Sequence, residues 1–171
     1  YRKLYDIPED HESMAVFSAD CEDVMWLAVD DATKKAKIKV IQIETVYGGV
    51  DHSWSRYGGE ITAIISGEKV ADVKSGLHYA KDYIENKSGN YRLNEDGTLG
   101  YYVDYVPRIG KYYQESLGLS EGTSIAYLVS APVESMYGLD KALKAADVLA
   151  ENAVTVAYSY IGPELTYPIY Y

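Results

Sequence analysis

The sequence predicts an α/β protein built as α+β layers, with helices packed on small sheets, and three observations carry that reading. A strand, loop and helix unit occurs twice, at residues 14–38 and 124–148; β-branched runs alternate with helical patterns along the chain; and 47% of the 171 residues are hydrophobic, ample for a packed core. In the later unit Ile125 to Val129 is an apolar run that reads as a buried strand, and Ser130 to Glu134 reads as a polar break. From Ser135 on, Met136, Leu139, Ala142, Leu143 and Ala146 keep the helical period, with Lys141 and Lys144 on the opposite face. The earlier unit repeats this: Ser18-Ala19 stands where Ser130-Ala131 stands later, and Val29-Asp30, Ala32, Lys34, Ala36 and Ile38 align with Leu139-Asp140, Ala142, Lys144, Ala146 and Val148. A diverged internal duplication accounts for the match.

Taken in order, residues 1 to 13 read as a polar lead-in, and Met14 to Phe17 as the first strand, followed by a helix to about Lys37. Ile38 to Thr45 (IKVIQIET) is β-branched and predicts a strand. Residues 46 to 60 (VYGGVDHSWSRYGGE) form a long loop in which Gly48-Gly49 and Gly58-Gly59 bracket His52, Trp54 and Arg56; loops of that length in a compact domain tend to be functional. Ile61 to Ser66 predicts a strand, and Val70 to Glu85 a helix with Asn86 and Gly89 as stop signals. The turn-rich stretch from Tyr91 to Gly100 is the expected boundary, giving domains at 1–98 and 99–171. Tyr101 to Val106 then predicts a short strand, 109 to 118 a helix ending at Gly118, and Ala153 to Tyr160 a strand before a Tyr-rich tail.

Composition narrows the function. A net charge of −10 and a pI near 4.7 leave nucleic-acid binding without an electrostatic footprint. No apolar segment approaches the roughly 20 residues that span a bilayer, and YRKLYDIPEDHE has no signal-peptide core, so a cytoplasmic protein without a membrane partner is expected. The single Cys21 and three scattered His offer no spaced metal cluster. Tyrosine is heavily used, 19 residues against 1 Phe, which suits half-buried positions, subunit interfaces and pore linings.

Catalytic signals are thin. Glu22 with Asp23, Glu60, Asp104, Glu134 and Glu164 supply carboxylates for acid and base work, but 26 acids produce neighbours by chance. No G-x-S-x-G, Walker A, H-E-x-x-H or G-x-G-x-x-G motif is present; His52 in its glycine-bracketed loop could serve as a ligand or general base but reads more simply as a solvated loop histidine, and Cys21, just before a helix, has no identifiable partner base. The chain reads as a scaffold with binding loops, not an enzyme; the competing readings are a cytosolic small-molecule-binding regulatory α/β domain and an acid/base hydrolase.

The segments SADCEDV (18 to 24), AVDDATKKA (28 to 36), GGEITAIISG (58 to 67), YIEN (83 to 86), AYLVSAPVESMYGLDKALKAADV (126 to 148) and GPELTY (162 to 167) resemble, in the same order, EutL-type tandem-domain shell proteins of bacterial microcompartments. The resemblance implies two fused, circularly permuted shell domains, a homotrimer that forms a flat pseudohexamer tiling with other shell proteins, and a central pore for metabolites or cofactors. It implies further strand and helix pairs beyond both ends of this sequence. It places Tyr47, Gly48, Gly49, Val50, Asp51, His52, Ser53 and Trp54 in one pore loop and Pro163 and Glu164 in a second. It also gathers Glu22, Asp23, Glu60, Glu134 and Tyr91 around a small-ligand pocket, with Glu22 and Tyr91 in place of the family's usual Asp and Phe. Carboxylates beside an aromatic face suit a small ammonium group such as ethanolamine. No cofactor is required; ethanolamine or a larger cofactor is the expected passenger or ligand, within an ethanolamine-utilisation shell.

Overall fold

The computed structural model describes residues 2–19, 21–46, 60–88, 91–92, 95, 100–130 and 132–148. In chain order these form α1 (Arg2–Tyr5), β1 (Ser13–Ala19), α2 (Glu22–Lys35), β2 (Lys39–Val46), β3 (Glu60–Gly67), α3 (Val70–Asn86), β4 (Tyr91–Arg92), β5 (Gly100–Val106), α4 (Lys111–Leu117), β6 (Ile125–Val129) and α5 (Pro132–Ala145). Two compact units result: Tyr1–Ser88 with Pro107–Ile125, and Gly89–Val106 with Ala126–Tyr171. The segment Pro107–Ile125, on the far side of the expected division at 98/99, packs with the first unit because α4 is tied to α2.

In the first unit an antiparallel sheet runs β1-β3-β2, with Ala63 opposite both Phe17 and Ile43 and a register shift between Val40 and Gln42. On the central strand ITAIIS, Ile61, Ala63 and Ile65 alternate onto one face and are all fully buried. One core cluster joins Ala28 and Ala32 of α2 to Ile38, Ile65, Val73 and Ala80; the other joins Met25, Val29, Ile61 and Ala63. Each large apolar side chain so buried contributes about 1.5–3 kcal/mol. Gly76 keeps α3 close, since a Cβ there would lie 2.8 Å from the Ile38 Cδ1. At the edge of this unit Arg2 donates to the carbonyls of Pro8, Glu9 and His11, and the His11 Nδ1 lies 2.7 Å from the Ser66 Oγ.

The second unit has the strand order β4-β5-β6, with Tyr91 opposite Tyr101. Tyr102 is buried and meets the Tyr127 ring edge-on at 6.0 Å. At the turn from β6 into α5 the Ser135 hydroxyl donates to the Ser130 carbonyl at 3.1 Å and lies 2.7 Å from the Ser130 Oγ.

The mixed α/β architecture stands as the sequence indicated, with three differences. The lead-in contains a short helix, α1. The helix of the later unit starts at Pro132 and not at Ser135, because proline at the first helical position loses no hydrogen bond and its φ is already helical. The duplication also has one continuous register: β1 ends at Ala19 and α2 begins at Glu22, as β6 ends at Val129 and α5 begins at Pro132, and both helices have 14 residues. Asp30 therefore corresponds to Asp140, as expected, but Ser18 corresponds to Leu128 and not to Ser130. A slip of two along a strand preserves the in/out alternation, so strand patterning could not detect it.

Candidate functional site

Among the expected pocket residues, three gather at one end of the first unit's sheet. Glu22 and Asp23 form the first turn of α2, where acids complement the helix dipole. The Thr45 hydroxyl donates to the Glu22 Oε1 at 2.7 Å, and Thr45 is paired with Ile61 in the β2–β3 ladder. Glu60 is next in that ladder, opposite Val46. Asp23 is buried. Tyr91 and Glu134 stand in the second unit, on β4 and in the first turn of α5, and Glu134 is exposed. The loop residues Tyr47, Gly48, Gly49, Val50, Asp51, His52, Ser53 and Trp54, and also Pro163 and Glu164, lie outside the described residues.

A further aromatic belongs to the acidic end. Tyr112 of α4 packs on the cluster of Met25, Val29, Ile61 and Ala63. Burial is the main cause that pushes its phenol up to about 12, and the negative charges of Asp30 and Glu22 push the same way. Tyr112 is thus an apolar wall beside Glu22. Its signal in the sequence was the Tyr112-Tyr113 pair in KYYQESL, legible only as a helix face.

What holds α4 there is Asp30, fully buried on α2. The Gly110 N–H donates to both Asp30 carboxylate oxygens at 2.9 and 2.8 Å, and the Tyr113 N–H donates to Oδ1 at 3.1 Å. The Lys34 Nζ lies 3.0 Å from Oδ2. Thr33 accepts the Lys111 N–H at 3.0 Å and donates to the Asp30 carbonyl at 2.7 Å. One helix therefore caps another with side chains remote in sequence. Gly110 is required by the close approach, since a Cβ would lie 2.3 Å from the Asp30 carbonyl oxygen.

Among the described residues no cluster of His, Cys, Asp and Glu is arranged to hold a metal, and no helix is long and apolar enough to cross a membrane.

Residues 13–94 match the BMC domain model, and residues 137–171 match the trans-2-enoyl-CoA reductase catalytic region. The chain is 40% identical over 146 residues to the bacterial microcompartment shell protein EutL of Clostridium perfringens, covering 85% of this chain and 67% of that relative. It matches the crystal structure of the ethanolamine utilization protein EutL from Leptotrichia buccalis with a TM-score of 0.76 at 42% identity, covering 85% of this chain and 67% of that one. The chain thus spans about two thirds of the length of these relatives. A 30-residue stretch is 77% identical to an enoyl-[acyl-carrier-protein] reductase of Saccharophagus degradans, covering 18% of this chain and 8% of that enzyme. So short a piece is far below a domain of about 100 residues and brings no catalytic centre with it. The GPELTY block, with Pro163 and Glu164, falls inside the stretch that the reductase model matches.

Proposed function

The chain belongs to the EutL family of bacterial microcompartment shell proteins, and from that premise we propose that it trimerises into a pseudohexameric tile of a cytoplasmic ethanolamine-utilisation shell. In this reading it is a structural protein without catalysis, its partners are further copies and other shell proteins, and small polar metabolites or a larger cofactor pass its pore. The observation that carries the proposal is the likeness of fold and sequence to EutL over 85% of the chain. Three-fold symmetry would repeat the loop of Tyr47 to Gly58 around one axis, and a ring of like residues sets pore size and charge. Pro163 and Glu164 are the second loop by resemblance alone.

The acidic end supplies the small-ligand site. The acids Glu22, Asp23 and Glu60 would supply negative charge, and Tyr112, beside Glu22, an aromatic wall for a small ammonium ion; Tyr91 and Glu134 complete the set by resemblance. A few partly solvated contacts correspond to binding on the order of micromolar to millimolar. Calorimetry with ethanolamine should give heat with the parent and much less with Glu60→Gln; equal heats, or none in either, remove the pocket and leave the shell reading standing. For assembly, light scattering should give three times the 19.1 kDa chain mass, and electron microscopy should give sheets at high concentration. A mass that stays at one chain up to high micromolar concentration overturns the assembly.

A further inference from the structure

Residues 107–124 leave the chain after β5 and rejoin it at β6, and they carry their own closure. The Ile109 N–H donates to the Thr123 carbonyl at 2.9 Å and the Ser124 hydroxyl to the Pro107 carbonyl at 2.6 Å, with the Arg108 Nη2 3.1 Å from the Glu121 Oε1. The neck is tied to itself. Beyond α4 the chain turns at Gly118, with φ 67°, and Gly122, with φ 86°, where a Cβ would meet nothing within 4 Å. The return from head to neck thus pivots on glycines in open surroundings.

The head, α4, grips α2 in few places. Ile109 and Tyr113 are buried and Tyr112 is half-buried, while Lys111, Glu115, Ser116 and Leu117 are exposed. The Gly110 and Tyr113 N–H groups share the Asp30 carboxylate, and the Lys111 N–H has the Thr33 hydroxyl. A helix of 7 residues does not hold together alone in water, so these contacts are made or lost together. Both acceptors also have a second partner on α2 itself. The Lys34 Nζ lies 3.0 Å from the Asp30 Oδ2, and the Thr33 hydroxyl donates to the Asp30 carbonyl at 2.7 Å. Departure of α4 returns its N–H groups to water and strands neither side chain, so the penalty of an orphaned buried polar group is avoided.

Tyr112 rides on this head. It packs on Met25 of α2 and Ile61 of β3; Met25 lies one turn along α2 from Glu22, and Ile61 is paired with Thr45, which donates to Glu22. We propose that residues 107–124 are a strap with two states, docked on α2 or released as one unit about its tied neck, and that release withdraws Tyr112 from beside Glu22 while the β1-β3-β2 sheet and α3 stay folded. The acidic end then has a walled form and an open form. The strap depends on neither the trimer nor the ligand reading.

Native-state amide exchange of the full chain in low urea tests it. The Gly110, Lys111 and Tyr113 N–H groups are expected to share one opening equilibrium, to exchange about tenfold or more faster than residues 61–66, and to depend less on urea. Thr33→Val removes one hydrogen bond and should speed all three about fivefold, leaving 61–66 unchanged. In a Cys21→Ser background, Tyr112→Cys should react with a thiol reagent at a rate that Thr33→Val raises by the same factor. Exchange of the three groups with the rate and urea dependence of 61–66 overturns the strap, as do three unrelated rates or a Thr33→Val effect shared by 61–66. A Tyr112→Cys reaction rate indifferent to Thr33→Val overturns the withdrawal of Tyr112. Calorimetry with ethanolamine decides the ligand reading separately.

Discussion

α2 and α5 are the same element written twice, yet their surroundings are opposite. α2 is sealed between its sheet, α3 and α4, with Leu27 2% exposed; on α5, counterpart Tyr137 stands in solvent and even Ala142, counterpart of fully buried Ala32, is exposed. Periodicity specifies that a helix forms and which face is apolar. Burial depends on what else arrives, and the segments that cover α2 come from residues 70–86 and 110–117, well outside the repeat. The comparison teaches that one apolar stripe can be sealed or left exposed according to the segments that reach it, and not according to its own pattern.

The largest effect should come from Asp30→Ala. It orphans two buried N–H groups at about 1–3 kcal/mol each, so a loss of about 3 kcal/mol or more is expected in urea denaturation. Asp140→Ala in dilute protein should stay within about 0.5 kcal/mol, as surface changes do; equal losses would erase the contrast. Next, Leu27→Ala should cost about 3 kcal/mol by creating a cavity, against about 0.5 kcal/mol or less for Tyr137→Ala in dilute protein. Gly110→Ala should cost about 2 kcal/mol, since the added methyl must displace the Asp30 carbonyl; a neutral result would show that α4 can leave α2 freely.

The smallest effect is alkaline. The Tyr112 phenol is pushed up to about 12, so between pH 10 and 12 the unfolded chain loses a proton that the folded one keeps. Tyr112 therefore contributes stability that is fully present below about pH 10 and is lost as pH rises toward 12. Tyr112→Phe should flatten that fall in denaturation curves at pH 9 and 11, and an unchanged slope would place the phenol in water.

Much of the fold was legible. β6 was read to the residue, and β3 and α3 nearly so, because short β-branched runs and a long amphipathic period are strong local signals. The start of α5 was missed because Ser130 to Glu134 reads as a polar break, while Pro132 in fact opens the helix. The match of Ser18 with Ser130 misled for a different reason: a two-residue slip is invisible to strand alternation. In the candidate site the acids of α2 were named in advance, but Thr45 and Tyr112 were not. Their roles come from tertiary neighbours, Thr45 through the β2–β3 register and Tyr112 through the Asp30 cap. That cap joins residues about 80 apart in sequence, beyond any local pattern.

The central claim, that Asp30 and Thr33 pin α4 on a sealed α2 while the matching face of α5 stands exposed, is tested most directly by amide hydrogen exchange in dilute protein. Residues 22–35 should exchange at least tenfold more slowly than residues 132–145, and Asp30→Ala should remove much of that difference. Protection of 132–145 already equal to that of 22–35, or protection of 22–35 unchanged in Asp30→Ala, would contradict it.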